Sequence, residues 1–217
     1  MADNHDNSSM SRRAFLSGLA ILSTACPAQA QKQFRKYTAP PPQYKKPYPR
    51  QEYITPPGSQ SHSHFQRLCT GCHLCVSGCP NHVLTSHASP LTNMAQPVLT
   101  YERGFCKPGC TRCSHTCPTG AILPINREEK SSLQIGQAVF NLQHCVTVKD
   151  GVHCGLCARR CPAGAITMVN TEYEGRNIKV PAINASRCIG CGACEYYCPA
   201  TPLSAIHVEG VQVQRTI

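Results

Sequence analysis

Large apolar side chains are scarce in this chain: it has no tryptophan and only five phenylalanines in 217 residues. Such a chain cannot bury a large hydrophobic core, so something other than apolar packing must stabilise the fold. It also lacks a glycine-rich dinucleotide fingerprint, a P-loop and an evident nucleophile–base pair. The sequence therefore gives no sign of a substrate site of its own, and we expect the protein not to be an enzyme.

Acidic residues are few as well, since 11 Asp and Glu stand against 21 Lys and Arg. Residues 31–60 contain six of these basic residues, a single acid, Glu52, and seven prolines. This composition predicts an extended linker of the polyproline type, although its four tyrosines would also let it drape over the body or a partner. No basic patch with an aromatic reading motif accompanies it, so we do not expect nucleic acid as a partner.

Cysteine, in contrast, is abundant, and sixteen of the seventeen cysteines fall into four motifs that each end in C-x-x-C-x-x-x-C-P. The motifs span 69–80, 106–118, 145–162 and 188–199, and their cysteines are Cys69, Cys72, Cys75 and Cys79; Cys106, Cys110, Cys113 and Cys117; Cys145, Cys154, Cys157 and Cys161; Cys188, Cys191, Cys194 and Cys198. The first and fourth motifs match the C-x2-C-x2-C-x3-C-P run of bacterial [4Fe–4S] ferredoxins. The sequence therefore predicts four [4Fe–4S] clusters with these sixteen ligands.

The spacing fits iron and sulfide better than the other uses of cysteine. Three closely spaced cysteines wrap one cubane, and the fourth crosses over to the partner cluster. Disulfide scaffolds do not repeat one four-cysteine loop, and zinc sites use C-x2-C pairs separated by a long gap. The segment 69–73 is also a literal C-x-x-C-H haem signature, but a haem there would orphan Cys75 and Cys79.

The motifs recur at intervals of about 40 residues, which indicates a structural repeat. Short β-type stretches, Pro97–Arg103, Gln137–Leu142 and Asn177–Ile183, precede motifs two to four, and an apolar pair that predicts a second strand follows each Cys-Pro of these motifs. Strand, cluster loop, short helix and strand make half of a ferredoxin domain. We expect an α+β fold in which residues 61–217 form two ferredoxin-like 2[4Fe–4S] domains after the Pro-rich linker.

The spacing leaves open which motifs share a domain, because sequential and nested pairing are both possible. Motifs one and four are regular, whereas motifs two and three carry insertions, so pairing like with like favours the nested arrangement. The predicted ligand sets are then Cys69, Cys72, Cys75 and Cys198; Cys188, Cys191, Cys194 and Cys79; Cys106, Cys110, Cys113 and Cys161; Cys145, Cys154, Cys157 and Cys117. The insertion between Cys145 and Cys154 is predicted to form an exposed loop.

The N-terminus has the pattern of an export signal. Ser11–Leu16 fits the twin-arginine motif, an apolar stretch too short for a membrane span follows, and Ala28-Gln29-Ala30 forms a cleavage site. Residues 1–30 are therefore predicted to be a signal peptide that exports the folded protein to the periplasm. Cys26 is expected to be discarded with the signal, with a lipid anchor at Cys26 as the alternative.

With such a signal and four motifs in this order, the chain resembles the periplasmic ferredoxin-type subunits of the NapG/MauM family. The resemblance runs from Arg12-Arg13 to about Gly210 and rests on motifs one, three and four, whereas motif two departs from the family spacing. It implies an electron-transfer protein with nested cluster pairing that stands between a membrane-bound quinol-oxidising partner and a periplasmic reductase. The alternative is an iron–sulfur electron-transfer subunit of a molybdopterin oxidoreductase complex.

Overall fold

The computed structural model describes residues 45–86 and 95–217. The predicted signal peptide, Cys26 and residues 31–44 of the predicted linker lie outside these ranges. Within them, short helices and strands alternate around the cysteine motifs, which agrees with the mixed helix and strand content expected. No helix of these described ranges is long and apolar enough to cross a membrane.

The elements of the described ranges are all short. The helices are α1 His62–Leu68, α2 Leu74–Ser77, α3 Arg112–Thr116, α4 Arg127–Ser132, α5 Val146–Lys149, α6 Leu156–Arg159 and α7 Ala193–Tyr197. The strands are β1 Leu84–Ser86, β2 Pro97–Leu99, β3 Leu133–Phe140, β4 Ile166–Tyr173, β5 Arg176–Ile183 and β6 Ile206–Thr216. They form three antiparallel pairs, β1–β2, β3–β6 and β4–β5. Each of α2, α3, α6 and α7 carries the third cysteine of one motif.

In the second half of the chain, two antiparallel pairs frame motifs three and four. β3 pairs with β6, with Phe140 opposite Ile206, and β4 pairs with β5 along their whole length. The turn between β4 and β5 places Glu174 and Gly175 at φ of 50° and 71°, the positive values that a two-residue type I′ hairpin requires. Motifs three and four therefore meet because their own flanking strands pair.

In the first half, β1 follows motif one and pairs with β2, which precedes motif two. Leu84 lies opposite Leu99, and Ile54 bridges to the other side of Leu99. The strand predicted to start at Ala121-Ile122 does not form. Instead the Leu123 N–H donates to the carbonyl of Gly58 at 2.9 Å, so the N-terminal segment holds this part of the chain.

The prediction of a linker over residues 31–60 is wrong for the part that the structure describes. Residues 45–60 pack onto the body, and Ile54 and Ser59 are fully buried. The Lys45 Nζ donates to the carbonyls of Glu195 and Tyr196 at 3.0 Å, and the Arg50 Nε donates to that of Val208 at 2.8 Å. The body therefore begins by residue 45 rather than at residue 61.

The tyrosines explain why this Pro-rich stretch packs instead of extending into solvent. Tyr48 stacks on His207 with ring centroids 3.5 Å apart, and Tyr53 stacks on His62 at 4.4 Å. Such rings bury a large apolar area at a low cost in side-chain entropy. Proline composition alone predicted a linker, whereas the interleaved aromatic rings determine the structure.

Cysteine contributes a substantial share of the interior. Nine of the sixteen motif cysteines are buried, together with apolar side chains such as Ile54, Phe65, Tyr101 and Ile206. Because most of these buried cysteines belong to the same core cluster as the apolar side chains, we expect what they bind to be part of what stabilises the fold.

Candidate iron–sulfur sites

The sixteen motif cysteines form no disulfides with one another, and they gather into four groups of four. We number each site by the motif that supplies three of its cysteines. Site 1 contains Cys69, Cys72, Cys75 and Cys117; site 2 contains Cys106, Cys110, Cys113 and Cys79; site 3 contains Cys145, Cys154, Cys157 and Cys198; site 4 contains Cys188, Cys191, Cys194 and Cys161. In every site the fourth cysteine comes from another motif, as a crossover ligand does in two-cluster ferredoxins.

The shape of the sites fits a cluster better than a single ion. Sites 1, 3 and 4 are small pockets, each lined by its four cysteines. Within residues 45–86 and 95–217, no three His, Cys, Asp or Glu side chains converge as ligands of one metal ion. Thiols spread around a cavity suit a cage whose four iron corners each take one thiolate.

Site 2 is recognised from the mutual influence of its thiols. Burial raises the pKa of Cys113 strongly, and Cys106 and Cys110 raise it further as nearby like charges. Cys79 acts on the thiols of both Cys106 and Cys113 in the same way. The irregular C-x3-C spacing of motif two therefore still brings four cysteines together.

The nested pairing predicted from the sequence is wrong. Cys117, not Cys198, completes the site of motif one, and Cys79 completes the site of motif two rather than that of motif four. Likewise Cys198 completes the site of motif three, and Cys161 completes the site of motif four. The structure pairs motif one with two and motif three with four.

Strand pairing, not cysteine spacing, accounts for this outcome. Antiparallel pairing of β1 with β2 and of β4 with β5 brings consecutive motifs together over short connections, which cost less loop-closure entropy than long ones. The insertions in motifs two and three alter only the cluster loops. Part of the insertion after Cys145, predicted to be exposed, folds into α5 with Thr147 buried, while residues 149–153 are exposed.

Burial controls the proton affinity of the thiols. It raises the pKa of Cys75 and of Cys157 to about 11, and that of Cys191 to about 12. Neighbouring cysteines of the same site add to each rise. Iron ligation requires thiolates, so cluster assembly must release these protons.

Backbone N–H groups point at the crossover cysteines. The Ala205 N–H donates to the Cys198 Sγ at 3.3 Å, and the Ala165 N–H donates to the Cys161 Sγ at the same distance. At Cys117 burial opposes ionisation, but hydrogen bonds from the Thr119 hydroxyl and nearby backbone N–H groups together lower the pKa. Hydrogen bonds to sulfur are among the factors that set cluster potentials.

His73, the histidine of the C-x-x-C-H segment, has a structural role. It adopts a left-handed φ of 61° at the start of α2, as Gly155 and Gly192 do at the start of α6 and α7. Its Nε2 lies 2.7 Å from the carbonyl oxygen of Ala95 and 3.1 Å from the Ser86 hydroxyl. The ring therefore ties the loop of motif one to its neighbours.

Sites 2 and 4 meet where the two halves of the chain join. The Cys106 N–H donates to the Cys191 carbonyl at 2.9 Å. The charge of Cys106 also contributes to the raised pKa of the Cys191 thiol. Cys75 of site 1 acts in the same way on Cys113 of site 2. With sites 3 and 4 linked by their crossover cysteines, the sites follow one another in the order 1, 2, 4, 3.

Tyr101 lies at this junction, five residues before the first cysteine of motif two. Its side chain is 1% exposed, and its hydroxyl donates to the Gly190 carbonyl at 2.7 Å. The ring lies so close to Gly192 that a Cβ built there would be 2.2 Å from the ring's Cγ. Burial raises the pKa of Tyr101 well above its usual value, and the charges of Cys106 and Cys191 add to the rise.

Comparison with known proteins fits these observations. The profile of the 4Fe–4S dicluster domain matches residues 68–121 and again residues 151–201. The chain is 32% identical over 152 residues to the methylamine utilization ferredoxin-type protein MauM of Methylobacillus flagellatus, and 31% identical over 145 residues to that of Methylophilus methylotrophus. The chain is a ferredoxin-type protein of the family that includes MauM.

The similarity to these ferredoxin-type proteins covers only part of each chain. The two alignments span 67% and 63% of this chain, and 63% and 62% of the two MauM proteins. A shorter match of 71 residues, 31% identical, relates 33% of the chain to 40% of the ferredoxin-type protein NapF of Escherichia coli. The first dicluster match covers motifs one and two, and the second covers motif three from Cys154 onward and motif four, in agreement with the grouping of the cysteines in the structure.

Proposed function

We propose that this ferredoxin-type protein relays electrons through four [4Fe–4S] clusters, held in the order site 1, site 2, site 4, site 3. The observation that carries the proposal is the hydrogen bond from the Cys106 N–H to the Cys191 carbonyl, which joins the two halves of the relay. A [4Fe–4S] cluster supplies reversible one-electron transfer over a wide range of potentials. The chain itself holds the clusters, spaces them and excludes water from the inner ones.

The exposure of the cysteines supports sites 1 and 3 as the two ends of the relay. In site 1 only Cys75 is buried and Cys72 is exposed, and in site 3 Cys154 and Cys157 are half-buried. Sites 2 and 4 each have three buried cysteines. Partners can therefore approach sites 1 and 3, whereas the inner sites exchange electrons with neighbouring sites.

Controlled-potential coulometry on the anaerobically purified protein tests the relay. Four one-electron clusters should take up about four electrons per chain and return them on reoxidation. The visible absorption should bleach and recover in step with the charge. Uptake of two electrons or fewer, or a reduction that cannot be reversed, would refute a four-cluster carrier.

The proposal includes the place where the protein works and the class of its partners. The twin-arginine pattern at Arg12-Arg13 supports export of the folded, cluster-bearing protein to the periplasm. Fractionation of cells that produce the full chain should find it in the periplasm. The Arg12→Lys/Arg13→Lys variant should remain in the cytoplasm, and an unchanged distribution would contradict the proposed route.

For the partners, the family resemblance supports a membrane-bound quinol-oxidising protein on one side and a periplasmic redox enzyme on the other. The oxidised protein can be mixed with membranes of its own cell and with duroquinol as the electron source. Bleaching that needs both membranes and duroquinol is expected. Bleaching by duroquinol alone, or none with the membranes present, would argue against a quinol-side partner in the membrane.

A further inference from the structure

Lys130 occupies an unusual position for a lysine. It belongs to α4, whose other residues are exposed or half-buried, yet its side chain is 0% exposed. Across residues 45–86 and 95–217, no other Lys or Arg is classed as buried. Asn126 and Glu129 form a capping box at the start of α4, which fixes the helix that turns Lys130 inward.

The buried ammonium has no ordinary partner. Among the described residues no carboxylate lies within 4.0 Å of it, and its Nζ makes no hydrogen bond of regular geometry. A buried charge without an opposite charge costs several kcal/mol, so lysine is rarely fully buried unless it is paired. The ammonium of Lys130 therefore needs a nearby negative charge, and no Asp or Glu of the described residues supplies one.

The Cys106 thiol of site 2 is the group that the ammonium faces. Burial raises the pKa of Cys106, and the nearby positive charge of Lys130 opposes that rise. In the iron-bearing protein this sulfur is a thiolate, and the oxidised cluster with its four thiolates is an anion. Site 2 therefore offers the missing countercharge.

We propose that Lys130 is the charge partner of the cluster held at site 2 and selectively raises the reduction potential of that cluster. The inference rests on the proposed function, because it needs a cluster at this site. Reduction adds one electron and hence one negative charge to the cluster. A fixed positive charge in a poorly solvated interior stabilises this more negative state.

Two other lysines near the sites differ from Lys130 in ways that make useful comparisons. Lys107 directly follows Cys106 in the same loop but is exposed, so water screens its charge. Lys45 lies near Cys198 of site 3, but its Nζ already donates to two backbone carbonyls and its side chain is partly exposed. The effect of a buried, otherwise unpaired charge is therefore specific to site 2.

A redox titration of the full-length protein, followed by electron paramagnetic resonance, tests the inference. Lys130→Met removes the charge with little change in shape, and Lys107→Met removes a charge from the same loop at the surface. In Lys130→Met the reduction potential of one of the four clusters should become more negative. At a fixed applied potential, the ratio of reduced to oxidised cluster at that site should fall at least tenfold, which corresponds to 59 mV for one electron. Lys107→Met should change that ratio by less than about threefold, because solvent screens its charge.

Iron content separates the possible outcomes. If Lys130→Met keeps about sixteen iron atoms per chain and all four couples stay within about twofold of the wild type, the inference is overturned while the relay stands. If Lys130→Met loses one cluster, Lys130→Arg decides: a retained cluster supports a charge partner, and a lost cluster contradicts it. A wild-type protein without iron would instead refute the proposed function itself.

Discussion

Replacing Gly192 with alanine should weaken the junction between the two halves of the described chain. Gly192 has a φ of 77°, and a Cβ there would overlap the buried ring of Tyr101. The left-handed conformation costs a non-glycine residue about 1–2 kcal/mol, and forcing an extra methyl group into a packed site costs about 1–3 kcal/mol. The total destabilisation is then about 2–5 kcal/mol.

Gly175→Ala provides a matched control. Gly175 has a similar φ of 71° in the β4–β5 turn, but nothing lies within 4 Å of the position of its Cβ. This variant should therefore incur only the conformational cost of about 1–2 kcal/mol. The difference between the two variants, about 1–3 kcal/mol, measures the packing of Tyr101 against motif four.

The assay is the rate of cluster loss in guanidinium chloride under argon, followed by the visible absorption. A difference of 1–3 kcal/mol makes Gly192→Ala lose its clusters roughly 5- to 150-fold faster than Gly175→Ala, if the overlap is relieved on unfolding. Adding Tyr101→Ala to Gly192→Ala should remove most of that excess, as a double-mutant cycle detects. Equal rates for the two glycine variants would show that Tyr101 does not pack as described.

Two further predictions address the cluster ligands and the buried histidine. Iron analysis of Cys69→Ala should give about twelve iron atoms per chain, because one cluster is lost. Adding Cys117→Ser should leave about twelve, since Cys117 belongs to the same site, whereas adding Cys198→Ser instead should leave about eight, since Cys198 belongs to another site. The reverse pattern would restore nested pairing. Burial lowers the pKa of His62, so the unfolded chain binds more protons than the folded one and stability should fall as pH drops through about 6.5. His62→Phe, which keeps a ring to stack on Tyr53, should show a shallower fall in melting temperature between pH 7.5 and 5.5, and an unchanged slope would assign the effect to other groups.

The cysteine motifs could be predicted because ligation of a [4Fe–4S] cubane requires a particular spacing of cysteines along the sequence. Three cysteines two or three residues apart must share one loop, and a proline after the fourth marks where the loop ends. The strands before motifs two to four could be predicted for the same reason, since each must deliver a cysteine loop. Their observed positions, β2, β3 and β5, overlap the expected stretches.

The pairing of the motifs could not be predicted in this way. Spacing within a motif describes how one loop surrounds its cluster and says nothing about which strands pair. That choice depends on ladders such as Leu84 with Leu99, which form between β-type stretches with no distinctive partner signal. The insertions in motifs two and three change the cluster loops and therefore carry no information about which motifs share a domain.

Two other features depend on tertiary contacts, although the interleaved tyrosines of residues 31–60 left packing on the body open as an alternative. The segment 45–60 has the composition of a linker, and only its contacts with α7 and β6, such as that of Arg50 with Val208, make it part of the body. Lys130 follows Arg127-Glu128-Glu129 in what appears in sequence as an exposed helix. Its burial depends on how α4 packs beside site 2, which only the tertiary structure specifies.

The amounts of iron and acid-labile sulfide per chain report whether this protein holds four [4Fe–4S] clusters. We expect about sixteen of each on the anaerobically purified protein, with a broad visible band that dithionite bleaches. About twelve would mean that one site, with the irregular motif two the first candidate, holds a smaller cluster or none. Little iron, or a sharp haem band, would refute a protein with four [4Fe–4S] clusters.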